Sequence, residues 1–524
     1  MFTYKFMIAQ LVIGPVIHLI IWLYSITPVH ERFAGYWLSR ILNKYLHHRF
    51  AISDVNGHVP LPGCEYHWPN GQGDEAKFIK GKQNSEAWER KYGRIYRIWS
   101  GMRTEIVLTR AEDIKTVFRD SNKHFKAVDN NSGYLMSRIL GQCVGLISGK
   151  QWENVRAVAE KPFVRSNSPN YIDMIQARTT RHFAELVSDG KLKEDTIHPA
   201  QDLKLLAFWI IAEVIYGRLD EDMEARLLVL VPIREALFKH VIRGGISRFW
   251  WSKHLPTQAN RELHNFRAKW HEFNKYAYER ARRMGIGALI VDLYDSVATG
   301  DITSEQLYQT VDEALYANLD VTLGGISWNL VFLSAHPEMQ KRLYSELQEK
   351  KAHANELGIT LDGYLLSPNT LLAACVSESS RLRPLAAFSV PQSAPTPRTV
   401  GGYVFPAETD FIVDSYALNI RNPFWGEDSE KYRPDRFFEH KATETRYNFW
   451  RFGFGPRQCM GKYVADVLIR ALLAHLIENY DLGQLKTEEE WARDEDSWIN
   501  HPDFRLKCTP KSVNGSVANS QECA

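Results

Sequence analysis

The chain has 524 residues, of which 44% are hydrophobic and 24% charged, values that are typical of a globular protein. Lysine and arginine total 64 against 62 aspartate and glutamate residues, so the formal net charge is only +2. This balance gives no case for a nucleic-acid partner, which would require a concentrated basic surface. Six dispersed cysteines form no CxxC pair, which argues against a disulfide framework or structural zinc and favours a reducing compartment.

The N-terminus begins with an apolar segment, MIAQLVIGPVIHLIIWLY (Met7–Tyr24), which carries no formal charge and is close to the minimum length of a membrane span. Basic residues are more frequent just after this segment than before it. By the positive-inside rule, the bulk of the chain then faces the cytosol. The sequence therefore predicts a single-pass anchor over residues 1–30. A helix that lies on the membrane or in the core is the alternative, because glycine, proline and polar residues interrupt the span.

Beyond the anchor, neither a low-complexity linker nor an internal repeat divides the chain, so we expect one main domain over residues 31–508 and a small, polar, flexible tail over residues 509–524. The spacing of apolar residues predicts helices over Ala111–Arg119, Gln201–Tyr216, Ala259–Arg283, Ser304–Ser334 and Pro337–Lys350. Strand-like runs are shorter, namely RIYRIWS, TEIVLT and DFIVDSY. The predicted fold class is therefore mainly α with a small β portion (α+β).

A late stretch of the chain, NFWRFGFGPRQCMGK, holds one cysteine among glycines, arginine and aromatics. It matches FxxGxRxCxG at every fixed position, and a chance match in a chain of this length has odds on the order of one in ten thousand. Glycine lets a flat cofactor approach the backbone. The nearby positive charge and the N-terminus of the following apolar helix favour a thiolate. An inert buried cysteine is the alternative.

This pattern resembles the haem-binding loop of the cytochrome P450 family, and the resemblance extends over nearly the whole chain after the anchor. It implies the cytochrome P450 fold, with Cys459 as the axial ligand to the iron of haem b. Thiolate ligation pushes electron density that favours cleavage of the O–O bond. By the same resemblance Phe452, Gly455, Arg457 and Gly461 bind the cofactor, and Arg457 is expected to pair with a haem propionate.

Three further motifs stand in the order that the family shows. ESSRLRP supplies Glu378 and Arg381, which a helix places on one face, and YRPDRF supplies Arg436. The resemblance implies that these three form a buried structural network that braces the haem loop and takes no part in catalysis. Upstream, GKQWENVRAV gives Trp152 and Arg156, which lie four residues apart and could both reach a propionate. Taken alone, each motif could instead lie on an ordinary solvent-exposed helix.

The distal helix departs from the family pattern at ANLDVT (Ala317–Thr322). Asp320 is retained, but Asn318 replaces a glycine, and Val321 stands where the family has a threonine whose hydroxyl relays protons. We take Asp320, Thr322 and Asn318 as the candidate catalytic residues, although Thr322 is rotated by about 100° around the helix from Val321. The proton relay is either rebuilt or less needed, or Val321 is a tolerated variation.

A second departure is Gln392, which stands where the family often places a propionate-binding arginine. Haem retention should then depend more on Arg156 and Arg457, because glutamine donates a hydrogen bond but no charge. By resemblance, the substrate pocket is formed by largely apolar and aromatic segments, which fit a lipophilic ligand. These segments are Ala127–Gly145, His240–Trp251, Tyr316–Val321 and Leu385–Val390.

The resemblance is to fungal, membrane-anchored haem-thiolate monooxygenases. It implies an enzyme that activates O2 and hydroxylates or epoxidises a lipophilic specialised metabolite, such as a cyclic dipeptide, polyketide or terpenoid. Electrons are expected from NADPH through NADPH-cytochrome P450 reductase, with cytochrome b5 as an optional further partner. The implied location is the endoplasmic reticulum membrane, with the catalytic domain facing the cytosol. The alternatives are oxidative coupling, desaturation, ring formation or rearrangement without net oxygen insertion, and a non-catalytic haem-binding protein.

Overall fold

A computed structural model of the chain describes residues 28–511, apart from the side chains of residues 28–34, 193 and 318. The predicted anchor segment, Met7–Tyr24, and most of the predicted tail therefore lie outside the described residues. Between residues 28 and 511, no helix is both long and apolar enough to cross a bilayer.

Helices make up most of the described chain. Several start at a side chain that satisfies a free backbone N–H of the first turn: Asp220, Thr257 and Thr370 each accept such a bond. The α-helices are α1 Pro28–Arg49, α2 Gly81–Tyr92, α3 Ala111–Phe118, α4 Tyr134–Leu140, α5 Gly149–Ala159, α6 Ile172–Ser188, α7 Lys204–Tyr216, α8 Glu221–Arg243, α9 Gln258–Met284, α10 Leu289–Ala298, α11 Ser304–Asp312, α12 Asn318–Ala335, α13 Pro337–Leu357, α14 Asp362–Leu366, α15 Leu371–Leu382, α16 Ser415–Asn419, α17 Arg436–Glu439, α18 Ala442–Thr445 and α19 Lys462–Asn479.

The strands form three small sheets. They are β1 Ile95–Ser100, β2 Arg103–Leu108, β3 Phe125–Lys126, β4 Thr196–Ile197, β5 Gln392–Ser393, β6 Arg398–Val400, β7 Tyr403–Phe405, β8 Asp410–Val413, β9 Tyr480–Gly483 and β10 Leu506–Pro510. The largest sheet has the strand order β1-β2-β8-β5-β3, in which β2 and β8 are parallel and the other neighbours antiparallel. The sheets β4-β10-β9 and β6-β7 are antiparallel. The predicted mainly helical fold with a small β portion is confirmed.

The predicted helix Ser304–Ser334 is interrupted. Helix α11 ends at Asp312, and a π-helical turn, Glu313–Ala317, inserts before α12. At this turn Glu313 Oε2 accepts a hydrogen bond from the backbone N–H of Gly145 at 3.0 Å. Such a turn depends on tertiary contacts, so helical spacing alone could not indicate it.

The structure also bears on the predicted domain limits. Strand β10 continues to Pro510, two residues beyond the predicted end of the main domain at residue 508. Thr509 and Pro510 pair there with Asp481 and Tyr480 of β9. At the other end, α1 begins at Pro28 and so runs through the predicted boundary at residue 30.

Helix α12 lies between the two largest apolar clusters of the core. Its Leu319 packs in one cluster, with side chains from α7 to α11, whereas Leu323 and Ile326 pack in the other, with side chains from α15 and α19. A helix that is apolar on all sides is a buried helix. The polar residues near its start are therefore presented from the rigid centre of the molecule, which suits a site that requires fixed geometry.

Candidate active site

The loop that carries Cys459 is a tight turn just before α19. The backbone N–H of Cys459 donates to the Phe452 carbonyl oxygen at 2.8 Å. Gly455 has φ of +67°, and a Cβ there would approach Ser121 Oγ to 2.3 Å, so the turn requires glycine at this position. Of the five cysteines in the described part of the chain, Cys459 alone is exposed, whereas the other four are buried. The loop therefore presents one uncovered thiol.

The Cys459 thiol lies deep inside the molecule although protein atoms do not cover it. Burial raises the pKa of this thiol, and the Gly461 backbone N–H, Arg156 and Lys462 oppose the rise only in part. Helix α19 does begin close by, at Lys462, as the sequence predicts. The nearby cations and the backbone N–H at the start of α19 each lower the pKa of Cys459, as the sequence predicts, but burial outweighs them in the protein alone. A metal cation bonded to the sulfur would remove the proton.

The predicted trio Glu378, Arg381 and Arg436 comes together in the core. Glu378 accepts hydrogen bonds from Arg381 Nε and Nη2 at 2.7 and 2.8 Å and from Arg436 Nε at 2.9 Å, and the three side chains are 0–1% exposed. Arg381 Nη1 also donates to the Asn419 carbonyl at 2.9 Å. The Asn419 side chain in turn exchanges two hydrogen bonds with the backbone of Trp450, at 2.7 and 2.8 Å. Asn419, which no sequence motif indicates, therefore links the trio to the Cys459 loop.

Helix α5 brings the predicted pair Trp152 and Arg156 to the same loop. Arg457 Cζ lies 4.6 Å from the centre of the Trp152 indole ring, a cation–π contact. Arg156 donates to Glu160 Oε2 at 2.5 Å and to the carbonyl of the residue before Cys459 at 3.3 Å. The predicted residues are thus adjacent, but Arg156 is partly engaged by a carboxylate of its own helix.

Lys126 joins this group, and the sequence analysis missed it. It is the cross-strand partner of Gln392 in β3 and β5, so the two side chains share one face of the sheet. Burial and then Arg457 lower the pKa of Lys126 to about 7, and burial and then Arg156 lower the pKa of Arg457 to about 10. Gln392 is 3% exposed, and its Oε1 finds no hydrogen-bond partner among the described residues. Clustered cations, two of which have a lowered pKa, fit an anionic group.

The distal candidates lie at the start of α12. Asp320, Val321 and Thr322 are half-buried there, whereas the side chain of Asn318 is not among those that the structure describes. Glu313, in the π-helical turn just before α12, contributes to raising the pKa of Cys459. This segment of the distal helix therefore lies near the Cys459 loop.

Asp320 is held by two residues near the C-terminus that the sequence analysis also missed. Trp498 Nε1 donates to Asp320 Oδ2 at 3.1 Å, and His501 Nε2 lies 2.7 Å from the Asp320 backbone oxygen. These partners are separated from Asp320 by about 180 positions in the chain, so no local pattern could have found them.

Comparison with known proteins identifies the family of this chain. The sequence profile described as Cytochrome P450 matches residues 62–507. The chain belongs to the cytochrome P450 family. It is 54% identical to cytochrome P450 monooxygenase aclC of Aspergillus oryzae over 91% of this chain and 97% of that protein. It is 49% identical to monooxygenase asaD of Aspergillus flavus, over 91% of each chain, and 38% identical to monooxygenase gliC of Aspergillus fumigatus, over 91% and 94%.

Solved structures agree on the fold. A zebra fish cytochrome P450 with progesterone aligns with a TM-score of 0.65 at 17% identity, over 82% of this chain and 99% of that one. The chain is thus a haem-thiolate monooxygenase that uses haem b and receives electrons from NADPH through a reductase. The residues present fit this cofactor, since an uncovered thiol suits the iron and the cations beside Gln392 suit the two haem carboxylates.

Proposed function

We propose that this cytochrome P450 oxidises a lipophilic specialised metabolite, with Cys459 as the axial ligand of the haem iron. The observation that carries this assignment is the uncovered Cys459 thiol on a loop fixed by Phe452 and tied through Asn419 to Glu378. When bound, the haem supplies O2 activation, and thiolate ligation favours cleavage of the O–O bond. The protein binds and orients the cofactor and the substrate and controls access of protons.

The haem carboxylates would be bound by Arg457, Trp152 and Lys126, with Arg156 and the Gln392 amide as further donors. Glutamine at position 392 supplies no charge, but Lys126 directly opposite it on the neighbouring strand does. An anionic carboxylate beside Lys126 would favour the charged ammonium. This cross-strand pair supports the interpretation that Lys126 on β3 supplies the positive charge that the family's arginine supplies at the position of Gln392 on β5.

The substrate pocket proposed here lies over the start of α12 and has an aromatic wall. The Trp498 ring lies 4.9 Å from that of Phe238 on α8 and 6.0 Å from that of Phe78, measured between ring centres. Such a wall suits a lipophilic, ring-containing small molecule. Asp320, which is hydrogen-bonded to Trp498, would hold and deliver protons at its carboxylate, with Asn318 and Thr322 as neighbouring polar groups.

We also propose that residues 1–30 anchor the catalytic domain to the endoplasmic reticulum membrane, with this domain in the cytosol and the residues beyond Pro510 as a tail. Helix α1, which follows the apolar segment, supports this. Its Trp37, Ile41 and Tyr45 recur every four residues and are 49%, 64% and 55% exposed, and aromatic side chains favour the membrane interface. Cytochrome b5 would be a second electron donor beside the reductase.

The proposal is tested by the spectrum of the ferrous carbon-monoxide complex, whose Soret position reports thiolate ligation. Cys459→Ser should abolish the thiolate spectrum while tryptophan fluorescence shows a folded protein. Cys508→Ser is the matched control, because Cys508 is a buried thiol of β10 away from the loop. A thiolate spectrum that survives in Cys459→Ser would overturn the assignment.

A second candidate function is oxidation without net oxygen insertion, such as coupling or desaturation. The observation that favours it is Val321, which offers no hydroxyl beside an Asp320 carboxylate that is already bound to Trp498. Turnover under isotopically labelled O2 separates the two candidates. A product that gains labelled oxygen supports monooxygenation, whereas a product that only loses hydrogens, or shares the formula of the substrate, supports the second candidate.

A further inference from the structure

The segment Trp498–His501 is fixed to the distal helix α12 at three points. Trp498 Nε1 donates to Asp320 Oδ2 at 3.1 Å, and His501 Nε2 lies 2.7 Å from the Asp320 backbone oxygen. About two helical turns further on, Trp328 Nε1 donates to the Asn500 carbonyl at 2.8 Å. The segment therefore follows α12 over about two turns and is bonded at both ends.

Packing keeps the donors of this segment aimed at Asp320. A Cβ at Gly324 of α12 would lie 2.9 Å from Ile499 Cγ2, so helix and segment are in contact with no room for a side chain. The Trp498 ring is confined by aromatic rings on two other elements, Phe78 and Phe238. The indole N–H can therefore reach Asp320 without a change in the surrounding packing.

The imidazole of His501 is suited to the same task. It is 4% exposed, and burial lowers its pKa, which Asp320 only partly opposes. The group facing Nε2 is a backbone carbonyl, which can only accept, so Nε2 carries the proton and donates. Its Nδ1 lies 3.4 Å from Ser497 Oγ. A neutral histidine in this tautomer is a fixed donor to the backbone that carries the acid.

We propose that Trp498 and His501 are positioning residues for Asp320, which fix its carboxylate on the distal helix in place of the hydroxyl that Val321 lacks. The proposal rests on the proton-delivering role of Asp320 proposed above. The two donors bind Oδ2 and the backbone oxygen, while Oδ1 accepts no hydrogen bond from any residue that the structure describes. Oδ1 is thus the atom that can hold and release a proton.

The test uses the full-length holoprotein and the ratio of product formed to NADPH consumed. Trp498→Phe keeps an aromatic ring between Phe78 and Phe238 but removes the N–H donor. The ratio should fall about fivefold, as expected for loss of one hydrogen bond, with hydrogen peroxide released instead. Trp491→Phe is the matched control, because Trp491 Nε1 donates to the neutral side chain of Gln484, which is bonded at the opposite end of α12 from Asp320, and the ratio should not change. His501→Gln, which keeps a donor, should retain more of the ratio than His501→Leu.

A second readout does not depend on turnover. It is the nuclear magnetic resonance spectrum of the ferrous carbon-monoxide form with isotope-labelled tryptophan. In this spectrum, the indole N–H resonance that disappears in Trp498→Phe belongs to Trp498. Asp320→Asn should shift this resonance, because a charged acceptor becomes neutral, and should leave the Trp491 resonance in place.

Each outcome decides between the two proposals. If the resonance does not move in Asp320→Asn, the hydrogen bond does not exist and the positioning role falls. If Asp320→Asn lowers the product ratio but Trp498→Phe does not, Trp498 is structural and only the positioning role is overturned. If Asp320→Asn keeps the ratio of the natural chain, the role of Asp320 itself is overturned, and haem-thiolate ligation, tested by the carbon-monoxide spectrum, is unaffected.

Discussion

Removing the charge of Glu378 should lower the free energy of unfolding more than breaking any single ion pair on the surface would. Its carboxylate accepts four hydrogen bonds of 2.7 to 2.9 Å, two from Arg381, one from Arg436 and one from the Arg433 backbone N–H. In Glu378→Gln one oxygen becomes an amide nitrogen that faces a guanidinium. Arg436 keeps Asp428 as a partial counter-charge, whereas Arg381 keeps no carboxylate partner among the described residues.

Burial sets the size of the effect. Breaking a buried charge pair costs about 3–5 kcal/mol, because the remaining charge stays buried and uncompensated. The amide keeps the shape of the side chain and one acceptor, so we expect about 3 kcal/mol, at the lower end. Asp435→Asn provides the control: Asp435 accepts two hydrogen bonds from Arg342 at 2.7 and 2.9 Å, but the two side chains are 41% and 48% exposed. That change should cost less than about 1 kcal/mol.

The assay is urea unfolding of the holoprotein, followed by tryptophan fluorescence and by Soret absorbance. In Glu378→Gln the Soret signal should be lost first, because Arg381 binds Asn419 and Asn419 binds the backbone at Trp450, next to the Cys459 loop. A loss of stability no larger than that of Asp435→Asn would refute the reasoning that the buried charge network stabilises the loop.

Three further changes test the site and the scaffold. Gly455→Ala should lower the free energy of unfolding by about 1–3 kcal/mol and speed transfer of haem to a globin acceptor, because the new Cβ would overlap Ser121 Oγ at a positive φ. The control Ser121→Ala should change the rate of haem loss much less. Lys126→Met should speed haem loss about tenfold, whereas the exposed Lys123→Met, the control, should not; equal rates would contradict the role of Lys126. Asp414 has its pKa raised to about 6 by burial, so its contribution to stability is full below pH 4 and is lost as pH rises through 6. Asp414→Asn should remove the part of that loss which falls between pH 5 and 8, about 1.4 kcal/mol in urea unfolding, and an unchanged pH profile would contradict it.

The sequence predicted those parts of the site that depend on short-range spacing. The fixed positions around Cys459, the pair on α5 and the Glu378–Arg381 turn each lie within one loop or one helix, and the structure brings them together as expected. The sequence could not predict site residues whose role depends on contacts between elements that are far apart in the chain. These residues are Lys126, Asn419, Trp498 and His501. The net rise in the pKa of the Cys459 thiol was unpredictable for the same reason, because burial is a property of the folded chain and outweighs the local cations, which do lower the pKa as expected.

The distal helix offers a last test of why this chain lacks the expected hydroxyl. If proton supply limits oxygen insertion, Val321→Thr should add a hydroxyl one residue from Asp320 at nearly constant shape and raise the share of product that carries labelled oxygen. Val321→Ala, which adds space but no hydroxyl, should leave that share unchanged. Equal labelling in both variants and in the natural chain would mean that placement of the substrate against the aromatic wall, and not the proton relay, determines the outcome. Val321 would then be a tolerated variation, and Asp320, held by Trp498, would be sufficient for proton delivery.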